Sequence, residues 1–322
     1  MKRASNPASG GRNKGKTKEA DTSHCNSGLV VATHGRHLVV ENDDGARLIC
    51  HPRGKKSQAV VGDRVLWQPT QESSDEGVIV AIEERRNLLY RQDEWRSKSF
   101  AANLDQLLMW IAVEPVFSES QLTRALIAAE SAGIPVTIVL NKIDLPGAPT
   151  ARERLAPYRA MGYKVVELSL IQETEAARAQ VGPLLDGKAT LVLGPSGAGK
   201  STLINTLLPN ARAEVREISL ALNSGKHTTT SSLWYWLDGT RTSAVIDSPG
   251  FQEFGMHHIA PTELARWMPD IAKNMNDCRF HNCTHRQEPG CAVQAALERG
   301  EVSPIRLSLY TALYDELSQP RW

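Results

Sequence analysis

The chain has 322 residues, of which 41% are hydrophobic and 23% are charged. Its length is about twice the ~150 residues of a typical domain, which predicts two or three domains. The composition excludes a wholly disordered, collagen-like or membrane-embedded protein. With 37 basic and 36 acidic residues the net charge is +1, which indicates no nucleic-acid or membrane partner unless the charge is unevenly distributed.

The amino-terminal segment, residues 1–27, is where the charge is uneven. It carries six Lys and Arg side chains against two acidic ones and is poor in apolar residues. Because it cannot bury enough surface to offset the entropy of ordering, we predict a disordered basic arm, either a solvated tail or a segment attracted to phosphates. No signal-peptide pattern follows the basic start, and no apolar run is long enough to span a bilayer. Five cysteines, an odd number, favour the reducing cytoplasm.

From residue 28 to about residue 91 the sequence predicts short strands separated by turns. Five short strands with a tight Asp44–Gly45 hairpin suggest a small closed barrel, either of the oligonucleotide-binding (OB) type or SH3-like. The runs are Leu29–Thr33, His37–Glu41, Ala46–Cys50, Arg64–Trp67 and Val78–Ile82. Nearby basic residues are either solvated charges or phosphate contacts: Arg53, Lys55 and Lys56 in one loop, and Arg85, Arg86 and Arg91 after the last strand.

Beyond residue 101, apolar strands alternate with amphipathic helices, which predicts a parallel sheet covered by helices on both faces. Ser118 and Gln121 have the spacing of a capping box, and Thr150 with Glu153 opens a second helix that Pro157 should kink. The predicted strands are Leu107–Val113, Pro135–Leu140, Val165–Leu168, Thr190–Leu193 and Ser243–Ile246. The later helix candidates are Thr174–Leu185, Thr262–Met268, Ala292–Arg299 and Pro304–Leu317.

The strongest motif is a glycine-rich phosphate loop of the form G-x-x-x-x-G-K-[ST], which follows a predicted strand and precedes a predicted helix. Its glycines let successive N–H groups point at phosphate oxygens. Lys200 would reach the β- and γ-phosphates, and Ser201 would bind Mg²⁺. The candidate nucleotide-binding residues here are Gly194, Pro195, Ser196, Gly197, Ala198, Gly199, Lys200, Ser201 and Thr202.

A second motif, Asn141-Lys142-Ile143-Asp144, comes directly after a predicted strand. The Asp144 carboxylate can accept from both N1–H and the N2 amino group of guanine, and adenine offers no such pair of donors. The motif therefore favours GTP over ATP. Lys142 can lay its stem over the base, and Asn141 can join this loop to the phosphate loop. Ser169, after the strand ending at Leu168, is a further candidate for base contact.

Asp247-Ser248-Pro249-Gly250 follows a third predicted strand. Asp247 would hold Mg²⁺ through water, and the Gly250 N–H would contact the γ-phosphate. The segment Gly225–Thr230, which lies between the phosphate loop and Asp247, ends in three threonines, Thr228, Thr229 and Thr230, one of which should complete the Mg²⁺ shell. We take Thr229 as the candidate.

Near the carboxyl end, Cys278, Cys283, His285 and Cys291 form the pattern C-x₄-C-x-H-x₅-C. Three thiols and one imidazole are enough for a closed, structural Zn²⁺ site, although unligated buried thiols remain the alternative. His281 is a competing donor. Cys25 and Cys50 fall outside this pattern and are expected to be free.

The order of the nucleotide motifs is unusual, because the guanine-reading Asp144 comes 50 residues before Gly194. In most GTPases the phosphate loop comes first, so the order is circularly permuted. Together with the preceding barrel, the Gly225–Thr230 segment and the Cys/His pattern, this order closely resembles the bacterial ribosome small subunit-dependent GTPase A family over roughly residues 28–300.

The resemblance implies a multidomain protein with an OB-type barrel at 28–95, a circularly permuted P-loop GTPase domain at 96–258 and a mostly helical zinc domain at 259–322, and the arm at 1–27 lies outside it. It implies the same Cys and His residues as zinc ligands. It also implies a cytoplasmic factor that acts late in maturation of the small (30S) ribosomal subunit, with that subunit, its rRNA and GTP or GDP as partners. We expect a monomer with no membrane contact.

Phe251 stands where many GTPases have the glutamine that orients the attacking water, which predicts slow intrinsic hydrolysis that a partner stimulates. The resemblance implies that His227 takes over this role beside Lys200. Two other functions are weaker alternatives: a small-molecule kinase, which seldom needs guanine specificity, and a passive RNA-binding protein, against which the intact Lys200, Ser201 and Asp247 argue.

Overall fold

The structure is a computed structural model that describes residues 22–34, 37–53, 59–70, 76–93, 97–209, 232–250 and 254–319. Several sequence predictions lie outside these residues. They are the arm up to residue 21, the loop lysines Lys55 and Lys56, the segment with His227 and Thr229, and Phe251. None of the described helices is both long enough and apolar enough to cross a membrane.

The first five strands close into a barrel, which confirms that prediction. β1 pairs with both β2 and β4, and β3 runs parallel to β5. The resulting order, β1-β2-β3-β5-β4-β1, is that of an OB-type barrel and not an SH3-like one. The strands are β1 (Asn26–His34), β2 (His37–Asn42), β3 (Arg47–Pro52), β4 (Arg64–Pro69) and β5 (Glu76–Ile82). The interior contains Val30, Leu38, Val40, Cys50, Val65, Trp67 and Ile79.

Two of the basic residues after β5 are held in ion pairs. Arg85 Nε lies 2.6 Å from Oδ1 of Asp63, a fully buried carboxylate, and this hydrogen bond raises the pKa of Arg85. Arg86 Nη1 lies 2.8 Å from Asp105 Oδ1. Arg85 therefore joins the barrel to the chain that follows it and is not a freely solvated charge. Arg86 is 61% exposed, so for it both alternatives, a solvated charge and a phosphate contact, stay predictions.

A two-stranded hairpin, which the sequence analysis missed, comes next: β6 (Leu88–Gln92) and β7 (Ser97–Ala102). The expected boundary between residues 95 and 96 falls between its strands. The hairpin holds the segment that follows Gly250, since the Gln92 N–H donates to the Gly255 carbonyl at 3.0 Å. Phe100 stacks on Phe254 with ring centroids 5.7 Å apart.

The nucleotide region is a sheet with the order β10-β9-β8-β11-β13-β12, in which all pairs are parallel except β12–β13. The predicted parallel strands are confirmed, and the antiparallel β12 was missed. The strands are β8 (Gln106–Ala112), β9 (Val136–Asn141), β10 (Lys164–Leu168), β11 (Ala189–Leu193), β12 (Leu233–Trp236) and β13 (Ala244–Asp247). The helices are α1 (Glu119–Ser131), α2 (Ala148–Ala160), α3 (Thr174–Leu185) and α4 (Lys200–Leu207).

Of two predicted helix starts, that of α1 is confirmed and that of α2 is wrong by two residues. Ser118 is the N-cap of α1, and its hydroxyl accepts from the Gln121 N–H at 3.3 Å, as the capping box predicts. α2 begins at Ala148 and not at Thr150, with Pro149 in its first turn, because the fixed φ of proline suits that position. Pro157 lies inside α2.

The carboxyl-terminal part consists of short helices that pack on the nucleotide region. They are a 3₁₀ helix (Pro261–Trp267), α5 (Pro269–Met275), α6 (Ala292–Glu298) and α7 (Pro304–Leu317). α5 was not predicted. A buried ion pair joins Arg306 of α7 to Asp270 of α5, with Nε 2.8 Å from Oδ2. Arg306 also donates to Thr123 Oγ1 of α1 at 2.8 Å, and Tyr158 OH of α2 lies 3.2 Å from the same oxygen.

Thr123→Val tests this junction. Valine has nearly the same shape but cannot accept from Arg306, so a buried donor loses a partner. We expect the free energy of unfolding to fall by about 1–3 kcal/mol, measured by urea denaturation. Thr311→Val is the control, because the Thr311 hydroxyl donates to the Leu307 carbonyl of its own helix, at 3.0 Å, and so lies within one element. Equal losses in both variants would mean that the Thr123 hydroxyl adds nothing to the junction.

Candidate functional site

The glycine-rich loop lies between β11 and α4, and its glycines are required by geometry. Gly197 and Gly199 have φ values of 80° and 102°, in the left-handed region that favours glycine. At Gly194 a Cβ atom would lie 1.9 Å from the carbonyl oxygen of Trp110. The loop therefore folds tightly against β8, with the amino end of α4 directly behind it.

Lys200 points back into this loop. Its Nζ donates to the carbonyls of Gly194 and Pro195 at 2.7 and 2.9 Å, and burial lowers its pKa. The ammonium group thus lies within the curl of the backbone, where phosphate oxygens can replace the carbonyls as acceptors. Ser201 follows it in the first turn of α4.

Asn141, at the end of β9, connects three loops. Its Nδ2 donates to the Ala198 carbonyl in the phosphate loop at 3.0 Å. Its Oδ1 accepts from the N–H groups of Lys142 at 2.8 Å and Leu170 at 3.1 Å. Because Asn141 is buried, one amide side chain fixes the phosphate loop relative to the 141–144 and 169–170 loops.

Lys142 and Asp144 occupy the outer part of the same junction. Lys142 has a φ of 64°, and its Nζ donates to the carbonyls of Glu114 and Gly197 at 2.6 and 2.9 Å. The Asp144 carboxylate accepts a short hydrogen bond from the Ser169 hydroxyl. Asp144 is exposed, so its free oxygen can accept from a ligand while Ser169 holds its orientation.

Asp247 ends β13, where it pairs in register with Val192 of β11 and Leu233 of β12. Burial raises the pKa of Asp247 to about 6, and the charge of Lys200 opposes this shift. A bound divalent cation would favour the ionised form. A Cβ atom at Gly250 would lie 3.3 Å from both Lys200 Nζ and Ser196 N, so this segment meets the phosphate loop.

Two residues that shape the site were missed by the sequence analysis. Trp110 is fully buried in β8, and its indole N–H donates to the Ala198 carbonyl at 3.0 Å. Glu114 contributes only its backbone carbonyl, to Lys142. Trp110 lies within an apolar run that predicts a core strand, and a backbone carbonyl leaves no pattern in a sequence.

The structure brings Cys278, Cys283, His285 and Cys291 together, with all four ligand atoms within 4.8 Å of one another. Cys278 Sγ lies 3.4 Å from His285 Nδ1 and 4.0 Å from Cys291 Sγ. Tetrahedral Zn²⁺ with bonds of about 2.0–2.3 Å needs ligand atoms about 3.5–3.8 Å apart. The cluster therefore fits Zn²⁺, and four protein ligands close its coordination shell.

Binding of a metal to this cluster would be coupled to loss of the thiol protons. Burial raises the pKa of the Cys283 and Cys291 thiols and lowers that of His285. The imidazole is thus neutral, as a ligand must be, and the thiols would lose their protons to a bound metal. His281 is exposed and does not belong to the group.

Comparison with known proteins agrees with this geometry. The profile of the RsgA GTPase family matches residues 82–257. The chain is 61% identical over 301 residues to the small ribosomal subunit biogenesis GTPase RsgA of Variovorax paradoxus, covering 92% of this chain and 93% of the relative. The protein of the same name from Burkholderia pseudomallei is 56% identical over 295 residues, covering 91% and 92%.

Two solved structures share the fold. YloQ, described as a circularly permuted GTPase, superimposes with a TM-score of 0.68 at 27% identity, covering 94% of this chain and 99% of that one. YjeQ from Thermotoga maritima superimposes with a TM-score of 0.70 at 29% identity, covering 92% and 100%. The chain therefore belongs to the RsgA family of circularly permuted GTPases and is a GTP hydrolase.

Proposed function

We propose that this GTPase binds the small ribosomal subunit, acts late in its maturation and hydrolyses GTP faster when bound to it. The strongest support is the high identity to relatives named as small ribosomal subunit biogenesis GTPases. The OB-type barrel adds a fold that commonly binds RNA. Ribosomal subunits mature in the bacterial cytoplasm, where we place the protein as a monomer.

The nucleotide would lie along the ends of β9, β11 and β13. Lys200 would contact the β- and γ-phosphates, and the Gly250 N–H would contact the γ-phosphate. Ser201 would bind Mg²⁺ directly and Asp247 through water, while Thr229, outside the described residues, would complete the shell. The Asn141 amide carries this assignment, because it holds the phosphate loop and the 141–144 loop in one rigid arrangement.

Guanine would bind at Asn141, Lys142, Ile143, Asp144 and Ser169. Asp144 would accept from the base, and the Lys142 stem would lie over it. Together with the phosphate loop from Gly194 to Thr202, these residues make up the proposed GTP site.

Mg²⁺ would enter with GTP, and one structural Zn²⁺ would be held by Cys278, Cys283, His285 and Cys291. We propose that the chain divides functionally into a basic arm (1–27), the barrel (28–95), the GTPase domain (96–258) and the zinc domain (259–322). The barrel, arm and zinc domain would contact rRNA. Such contacts neutralise phosphates and should weaken as salt concentration rises.

The catalytic step would depend on His227 and Lys200. Lys200 neutralises charge that develops on the transferred phosphate, and His227 would orient the attacking water once the subunit orders its segment. Phe251 has no polar atom with which to hold water, which explains why hydrolysis would be slow in the free protein.

His227→Ala tests the catalytic proposal. Subunit-stimulated turnover should fall by about 100-fold, while the Kd for GTP stays nearly unchanged, because the loss is confined to water positioning. Phosphate release is measured with and without purified small subunits at two salt concentrations, with ATP as the nucleotide control and His281→Ala as the variant control. Undiminished stimulation in His227→Ala would remove His227 from the mechanism, and unstimulated wild-type protein would contradict the proposed function.

A further inference from the structure

The barrel and the strand that carries Asp247 belong to one continuous sheet. Ala32 of β1 pairs with Leu233 of β12, and Leu233 pairs with Asp247 of β13. The three residues therefore lie in one row across three adjacent strands. Since neighbouring strands are about 4.8 Å apart, the barrel backbone at Ala32 comes within about 10 Å of the backbone of Asp247, the proposed Mg²⁺-binding residue.

A buried carboxylate fastens this junction. Glu41 of β2 is only 6% exposed. Its Oε1 accepts from the indole N–H of Trp236, at the end of β12, at 2.7 Å. Its Oε2 lies 3.0 Å from Nε of Arg47, which belongs to the barrel. One carboxylate thus holds a barrel side chain with one oxygen and a β12 side chain with the other.

A second contact reinforces the first. Arg241, in the turn between β12 and β13, has its Nε 3.8 Å from Glu41 Oε1. Its two terminal nitrogens donate to the carbonyls of Asp43 and Asp44, each at 3.3 Å, in the turn between β2 and β3. The β2–β3 hairpin therefore contacts the β12–β13 hairpin at the end of β12 and in the turn that follows it.

The hydrogen bonds of Glu41 fix the geometry of this junction. A buried carboxylate is costly unless its oxygens are hydrogen-bonded, so Glu41 holds its partners in fixed directions. β12 also enters the sheet directly after the segment with the candidate threonines and pairs with the strand that ends at Asp247. Any shift of β13 that accompanies Mg²⁺ and γ-phosphate binding therefore pulls on a strand that Glu41 ties to the barrel.

We propose that Glu41 is a positioning residue that couples the barrel to the nucleotide site through Trp236 and β12. Exchange of GDP for GTP would alter the barrel strands β1 and β2 and thereby change the affinity of the barrel for a ligand. By reciprocity, that ligand would change the preference for GTP over GDP by the same factor. The inference rests on the proposed role of Asp247 in Mg²⁺ binding. It assigns a route for coupling and is independent of what the barrel binds.

β12 offers a matched pair of variants. Trp236→Phe removes the N–H that donates to Glu41 but keeps an aromatic ring. Trp234→Phe makes the same change two residues earlier, where the buried indole N–H has no hydrogen-bond partner among the described residues. Trp234 is 5% exposed, so its loss of packing tests for non-specific loosening of the same strand.

The experiment is hydrogen–deuterium exchange of the full chain with Mg²⁺ and either GDP or a non-hydrolysable GTP analogue. In the wild type, peptides from both β13 and β1–β2 should exchange differently between the two nucleotides. Trp236→Phe should keep the difference in β13 and reduce that in β1–β2 by about fivefold or more, whereas Trp234→Phe should keep both. If Trp236→Phe increases exchange of the barrel peptides with both nucleotides, Arg241→Lys replaces it as the test variant, because Arg241 is the more exposed contact of the same junction.

Two results would overturn the coupling. The first is equal exchange of the wild-type barrel peptides with GDP and with the GTP analogue. The second is equal behaviour of the Trp236→Phe and Trp234→Phe variants. The exchange experiment contains no ribosomal subunits, so its result does not depend on subunit binding. A wild type that subunits fail to stimulate would contradict the proposed function and leave this inference standing. Asp247→Asn, which should abolish the Mg²⁺ dependence of nucleotide binding, checks the role on which the inference rests.

Discussion

Asp144→Asn is expected to lower the affinity for GTP by about 10²- to 10³-fold and to create affinity for xanthosine triphosphate. In the proposed site the carboxylate would accept from the N1–H and N2 amino groups of guanine, whereas an asparagine amide offers one acceptor and one donor. Xanthine carries a carbonyl at C2, so it matches the amide. The Ser169 hydroxyl can donate to the asparagine oxygen as it does to the carboxylate, so the loop should keep its shape.

Equilibrium titration of GTP, GDP and xanthosine triphosphate measures this exchange of specificity. Asp43→Asn is a suitable control, because Asp43 is 77% exposed and lies in the barrel. It should leave all three affinities unchanged. If Asp144→Asn bound GTP like the wild type, or lost GTP without gaining xanthosine triphosphate, guanine would not be read at Asp144.

The parts of the site that could be predicted are those encoded locally. Each nucleotide loop is a short motif at the end of a strand, and the apolar run before it identifies the strand. The ligand spacing of the cysteine cluster is equally local. The alternation of strands and helices then places Asn141, Gly194 and Asp247 on one edge of the sheet, since parallel strands end at the same edge.

What could not be predicted depends on contacts between distant parts of the chain. β12 is only four residues long, and its position is fixed by pairing with β13 and with β1 of the barrel. Arg85 and Arg86 look like phosphate contacts in sequence because their acidic partners, Asp63 and Asp105, are about 20 residues away. Glu41, in the same way, has a partner in Trp236, 195 residues away.

The ion pairs of Arg85 and Arg86 change what the uneven distribution of charge implies about RNA binding. The net charge of +1 masks a basic arm, and the arm remains a candidate for contact with rRNA. The basic group after β5 is weaker support, because two of its members already neutralise carboxylates within the protein. Contact with RNA would then rest on Arg53 and Arg86, which are exposed, and on residues outside the described part of the chain.

Cys283→Ser should abolish stoichiometric zinc binding and loosen the chain between Cys278 and Cys291. A serine hydroxyl is a poor ligand at neutral pH, and losing one of four ligands opens a closed tetrahedral shell. Zinc contributes about 10–16 kcal/mol to folding of small zinc domains, so the local effect should be large. The nucleotide loops are built from other elements, which predicts an almost unchanged Kd for GTP.

Zinc content by elemental analysis, limited proteolysis and GTP titration on the same samples separate these effects. The variant should hold far less than one zinc per chain and be cut near residues 278–291, and Cys25→Ser, outside the cluster, should behave like the wild type. Chelation of the wild type should reproduce the cleavage pattern, because removing the metal and removing a ligand have the same consequence. Folded wild-type protein without zinc, prepared without chelator, would show that the four side chains pack as unligated thiols and imidazole.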